Sequence, residues 1–100
     1  MKIVLCCNAG MSTSLMVSKM KKEAVSRGME LDLSAVSTDK IKDNLEGTKV
    51  VMLGPQVRFK AEEIKGICEP MGIKVDIIKT VDYGMMNGAK VLDAALSLTK

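Results

Sequence analysis

Cys7 heads the run Cys7-Asn8-Ala9-Gly10-Met11-Ser12-Thr13-Ser14, which gathers a thiol, a glycine and three hydroxyls. The apolar stretch Ile3 to Cys6 before it reads as a strand, and Met11 to Arg27 after it reads as a helix. The thiol therefore sits where a strand ends and a helix begins. Such a junction is an anion cradle, because successive free N–H groups can wrap a phosphate and the helix N-terminus favours negative charge by about 0.3–1 kcal/mol, rising to ~2 when partly buried. Gly10 lets the backbone approach a ligand. The same field stabilises a thiolate and makes Cys7 a nucleophile near neutral pH, while Ser12, Thr13 and Ser14 can donate to phosphoryl oxygens. The plain alternative is that Cys7 is a small buried residue closing a strand and that Ser12 or Thr13 is a helix cap.

What the run lacks narrows the chemistry. Cysteine-dependent phosphatases use C-x5-R, whose arginine clamps the phosphate, and the corresponding position here is Thr13. The chain also has no histidine, which removes the commonest general base and phosphoryl carrier. Neutral donors around a thiolate suit holding and relaying a phosphoryl group more than hydrolysing its ester. A small thiol phosphatase or arsenate reductase, and a phosphate-sensing module that does not pass the group on, remain as alternatives. Cys6 should point away from Cys7, since side chains alternate along a strand, and Cys68 lies late in a later helix; both read as core. Cys7 is then the one thiol expected to be open to solvent.

The elements that must hold this junction alternate between strand and helix. Further strand-like runs cover Met29 to Val36, Lys49 to Leu53 and Ile73 to Ile78; helical stretches cover Thr38 to Leu45, Gln56 to about Glu69, and about Met86 or Gly88 to Leu98. In the first helix Leu15, Met16, Met20 and Ala24 form the apolar side, and Gly28 ends it. This is an α/β pattern with a four-stranded parallel sheet covered by helices on both faces. Runs one and three have no polar interruption and belong in the centre, whereas Asp32 and Asp76 mark runs two and four as edges. Order 2-1-3-4 satisfies this with right-handed crossovers and opens a crevice beyond the carboxyl ends of strands 1 and 3. The phosphate loop after strand 1 lies there. Gln56, just after strand 3, and Tyr83, before the last helix, fall at the same edge and are candidates for the site rim; a turn residue and plain packing are the alternatives.

Composition excludes several other classes. One hundred residues with 47% apolar content suffice for one domain, spanning 1–100. The net charge of +3 and only two aromatics give neither a basic footprint nor a stacking platform for nucleic acid. Three cysteines in no C-x-x-C spacing fit free thiols in a reducing compartment, and neither a structural metal nor a cofactor is expected. No apolar run reaches the roughly 18 residues of a membrane span, and the start carries no signal-peptide pattern, so a cytoplasmic location without membrane insertion is expected.

The segment from Ile3 to Met20, with its run C-x-A-G-M-S-T-S-L-x-V-x-K-M, resembles the start of the IIB components of the phosphoenolpyruvate-dependent sugar phosphotransferase system, in the lactose/cellobiose/diacetylchitobiose family. The likeness continues through Val51-Met52-Leu53-Gly54-Pro55-Gln56-Val57 and Asp82-Tyr83-Gly84. It implies that Cys7 is a phosphocysteine, loaded by a phosphohistidine on a IIA protein and discharged to a sugar bound by a membrane IIC component. Cys6 replaces the usual apolar residue before the nucleophile, and Asn8 stands where a small residue such as serine is common. Met11 and the lysines Lys19, Lys21 and Lys22 are possible partner contacts, the lysines being equally well explained as solvated helix charges.

Overall fold

The computed structural model describes residues 1–7 and 10–99, and of residues 10–12 the backbone alone. Four strands, β1 (Lys2–Cys7), β2 (Asp32–Ser37), β3 (Thr48–Leu53) and β4 (Lys74–Ile77), form a parallel sheet in the order β2-β1-β3-β4. Polarity sorts them as expected: the unbroken apolar strands β1 and β3 are interior, and Asp32 and Asp76 are exposed on the two edges. The register sets Cys6 between Val36 and Leu53, so β1 and β3 finish almost level.

Alternation along β1 deals its side chains to two cores. Ile3 and Leu5 pack with Met16, Met20, Val50, Met52 and Leu92 beneath α1 (Gly10–Ser26) and α4 (Gly88–Ser97). Val4 and Cys6 face the other way, packing with Val51, Leu53, Val57, Ile64 and Cys68 under α2 (Ala61–Cys68) and the 3-10 segment Pro55–Lys60. Each fully buried Leu, Ile or Met contributes roughly 1.5–3 kcal/mol, so the first turns of α1 are anchored from beneath by Met16 and Met20.

Besides Thr38–Asn44, which is 3-10, the helices differ from expectation in three places. Leu15 is half-exposed and Val17 is buried instead, because the stripe facing β1 runs through Thr13, Met16, Val17, Met20 and Ala24. The helix expected from Gln56 to Glu69 is broken: Pro55–Lys60 is 3-10, with Val57 at φ −115°, ψ 20°, and α2 starts only at Ala61. The third difference is a short helix missing from the sequence reading, α3 (Thr80–Gly84), which carries Tyr83. Gly28 does end α1. At φ +70° it closes a Schellman turn, with the Gly28 N–H donating to Val25 O and the Met29 N–H to Ala24 O. That turn uses Met29, which is why β2 begins at Asp32. Among the described residues no helix is long and apolar enough to cross a membrane.

Candidate functional site

Cys7 is the last residue of β1, a central strand, and α1 begins at Gly10. The thiol thus stands at the carboxyl edge of the sheet, with the amino end of a 17-residue helix next to it in the chain. Of the expected phosphate loop, Asn8 and Ala9 lie outside the described residues, as do the side chains of Gly10, Met11 and Ser12. Thr13 is fully buried and Ser14 exposed.

The hydroxyl of Thr13 donates to Cys7 Sγ. On its other side Thr13 Oγ1 is 3.2 Å from the hydroxyl of Tyr83, itself only 8% exposed. This placement corrects one expectation: Cys7 is 2% exposed, not open to solvent. The cause is visible in the fold. Thr13 comes over the sulfur from the first turn of α1, and Tyr83 closes behind it from α3, 70 residues away in the chain.

Gly54 completes the enclosure. Its N–H donates to Cys6 O at 2.9 Å, extending the β1–β3 ladder one step beyond the strand. A Cβ at Gly54 would lie 3.3 Å from Cys7 Cβ, 2.7 Å from Gln56 Oε1 and 3.6 Å from Tyr83 Cε2. Cys7, Gln56 and Tyr83, chosen separately from the sequence, thus converge on one backbone position. Gln56 is exposed and folds its amide back over Gly54. Gly54 is not among the residues the sequence singles out for the site; the signal that could have found it is a glycine directly after β3, the strand that pairs with the one ending in Cys7.

The other two thiols are chemically quiet. Cys6 is fully buried on the opposite face of β1, and burial first, then the neighbouring Cys7 and Cys68, pushes its thiol up to about 12. Burial likewise raises Cys68. Both stay protonated and inert across the physiological range. Lys19, Lys21 and Lys22 are exposed, consistent with solvated helix charges. At the position where C-x5-R enzymes hold an arginine, this chain turns a neutral hydroxyl onto the sulfur. The arrangement can orient and stabilise a thiolate, but it supplies no cation to a hydrolytic transition state from that position.

Residues 2–94 match the family model described as "PTS system, Lactose/Cellobiose specific IIB subunit". The chain is 48% identical over 101 residues to the galactose-specific EIIB component of the phosphotransferase system of Lactococcus lactis subsp. cremoris (strain MG1363), covering 96% of this chain and 94% of the relative. It is 42% identical over 97 residues to the oligo-beta-mannoside-specific EIIB component of Bacillus subtilis (strain 168), covering 97% and 94%. The solution structure of the cellobiose-specific phosphotransferase IIB component from Borrelia burgdorferi superposes with a TM-score of 0.81 at 40% identity, over 98% of this chain and 90% of that one. The lactose-specific IIB domain from Streptococcus pneumoniae has the same fold, with a TM-score of 0.89 at 18% identity over 100% and 98%.

Proposed function

The chain belongs to the lactose/cellobiose-specific IIB subunits of the sugar phosphotransferase system, and from that premise we propose that Cys7 is the residue that carries the phosphoryl group. IIB subunits are phosphotransferases of sugar uptake that work through a phosphocysteine. The observation that supports Cys7 most directly is its sulfur at the carboxyl edge of a central strand, with the Thr13 hydroxyl donating to it and α1 starting three residues on. Cys6 and Cys68 are buried in the opposite core, and that burial holds them protonated.

In the first step the Cys7 thiolate attacks the phosphorus of a phosphohistidine on the IIA partner; an S–P bond forms, the N–P bond breaks, and the imidazole keeps the electron pair. In the second, a hydroxyl of the sugar held by the membrane IIC component attacks the same phosphorus; an O–P bond forms, the S–P bond breaks with its electron pair on sulfur, and the hydroxyl proton is released to solvent or to the departing thiolate. Between the steps, backbone N–H groups over residues 8–14 and the hydroxyls of Ser12, Thr13 and Ser14 bind the phosphoryl oxygens, with Gln56 and Tyr83 at the rim. The group must come within about 3–3.5 Å of sulfur in line, so Cys7, 2% exposed, has to be uncovered first. Residues 1–100 act as one carrier domain in the cytoplasm, with no cofactor. Relatives named for galactose, cellobiose and oligo-beta-mannoside resemble the chain to similar degrees, and sugar selection falls to IIC.

The test is Cys7→Ser incubated with phosphorylated IIA and read by intact-mass spectrometry. An alkoxide is far harder to form than a thiolate and no histidine is present to act as base, so the phosphoryl adduct should vanish while the fold persists. Cys6→Ala and Cys68→Ala should still be phosphorylated. An adduct that survives in folded Cys7→Ser, or that disappears only in Cys6→Ala, overturns the assignment.

A further inference from the structure

The contacts of Thr13 form a chain with a direction. Threonine has one hydroxyl proton and two lone pairs, and here the proton goes to Cys7 Sγ. Its oxygen can then only accept, so at 3.2 Å the Tyr83 hydroxyl must be the donor. We propose that Tyr83 is a positioning residue for the nucleophile: its O–H fixes the Thr13 hydroxyl with the proton aimed at Cys7, so that the thiolate receives a charge-assisted hydrogen bond.

This rests on the reading of Cys7 as the phosphoryl acceptor. A helical threonine left to itself can turn its proton to a backbone carbonyl instead, and a donor from outside the helix removes that choice. Tyr83 is well held for the task. Its N–H donates to the carbonyl of Lys79, the N-cap of α3, at 3.0 Å, and its ring is buried in the core beneath α1 and α4. Thr13 is 0% and Tyr83 8% exposed, so water competes weakly for either hydroxyl and the two bonds reinforce each other. The relay couples α3, through Thr13 of α1, to a thiol at the end of β1.

Tyr83→Phe removes the hydroxyl and keeps the ring. The first measurement is the rate of alkylation at Cys7 against pH, followed by peptide mass mapping with no partner protein present. Losing one hydrogen bond should lower the reactive fraction roughly threefold to tenfold below the midpoint, moving the midpoint up by about half to one pH unit. Phosphoryl acceptance from phosphorylated IIA should fall by a similar factor at neutral pH and recover as pH rises. Thr13→Val should lose at least as much, Thr13→Ser should retain the bond, and adding Tyr83→Phe to Thr13→Val should cost nothing further. An unshifted midpoint in Tyr83→Phe, or losses that simply multiply in the double variant, would overturn the relay and leave Tyr83 as packing. The alkylation measurement needs no IIA, so a failed relay stays distinguishable from a failed assignment of the phosphoryl acceptor, which Cys7→Ser alone decides.

Discussion

Gly54 shows how closely a single residue can be tied to the chemistry without taking part in it. Its backbone dihedrals, φ −62° and ψ 149°, suit any residue, so the reason for glycine is space. In Gly54→Ala the new methyl would meet Gln56 Oε1 at 2.7 Å, which a flexible amide can avoid by swinging out, and Cys7 Cβ at 3.3 Å, which has to give by a few tenths of an ångström. Global stability should change by less than about 1 kcal/mol, because alanine also restricts the unfolded chain. Phosphoryl acceptance should fall by roughly tenfold, since small displacements of a reacting atom are costly. Denaturant unfolding and a single-turnover phosphorylation assay on the same preparation check both halves; equal loss in the two would show that the glycine serves packing alone. At this scale the sequence made Cys7, Thr13, Gln56 and Tyr83 visible by residue type and position. It could not make the cover over the sulfur visible, because that cover is a contact between residues 70 apart in the chain.

At the scale of elements, the two helices over one face of the sheet meet at a glycine for the same reason. Gly88 is the first residue of α4, and a Cβ there would stand 2.8 Å from the backbone carbon of Lys19 and 3.0 Å from the backbone nitrogen of Met20 in α1. Backbone cannot swing aside, so Gly88→Ala must push α4 off α1. Such overpacking costs typically about 1–3 kcal/mol, which for a domain of this size lowers Tm by roughly 4–8 °C per kcal/mol. Differential scanning calorimetry should show the drop, and an unchanged Tm would mean the helix pair is looser than its geometry implies. The nearby cap, in which the Asn87 side chain accepts from the Lys90 N–H at 3.1 Å, is intact in that variant and fixes where α4 starts. Strand order was legible because polarity separates edge from interior strands. The course of the chain after β3 was less so: Pro55 and the bent Val57 split one periodic stretch into a 3-10 segment and α2. The five residues of α3 are too few to show a helical period at all.

The whole molecule divides its labour across the sheet, and the adjacent cysteines of β1 fall on opposite sides of that division. Cys7 ends the strand among hydroxyls, while Cys6 is buried with Cys68, Ile64 and Leu53 in the core beneath α2. Ionising either core thiol would place an unpaired charge in apolar packing, which is why burial leads the causes that push Cys6 up to about 12 and raise Cys68. In the unfolded chain these thiols ionise near their ordinary value of 9.0. Above that pH the unfolded state therefore holds fewer protons than the native state, and the linkage relation makes stability fall as pH rises. For Cys6 the loss runs from about pH 9 to about 12 and is absent below that window. The informative quantity is a difference between two proteins that differ in the one thiol. Urea unfolding of the wild type and of Cys6→Ala between about pH 8 and 11 should give a steeper alkaline fall for the wild type, by at most about 1.4 kcal/mol per pH unit for the one thiol. At pH 8 Cys6→Ala should be the less stable of the two because of its lost packing, and the gap should narrow as pH climbs. Parallel curves across the range would mean that Cys6 ionises in the folded protein as easily as in the unfolded chain, and that the core under α2 does not exclude charge.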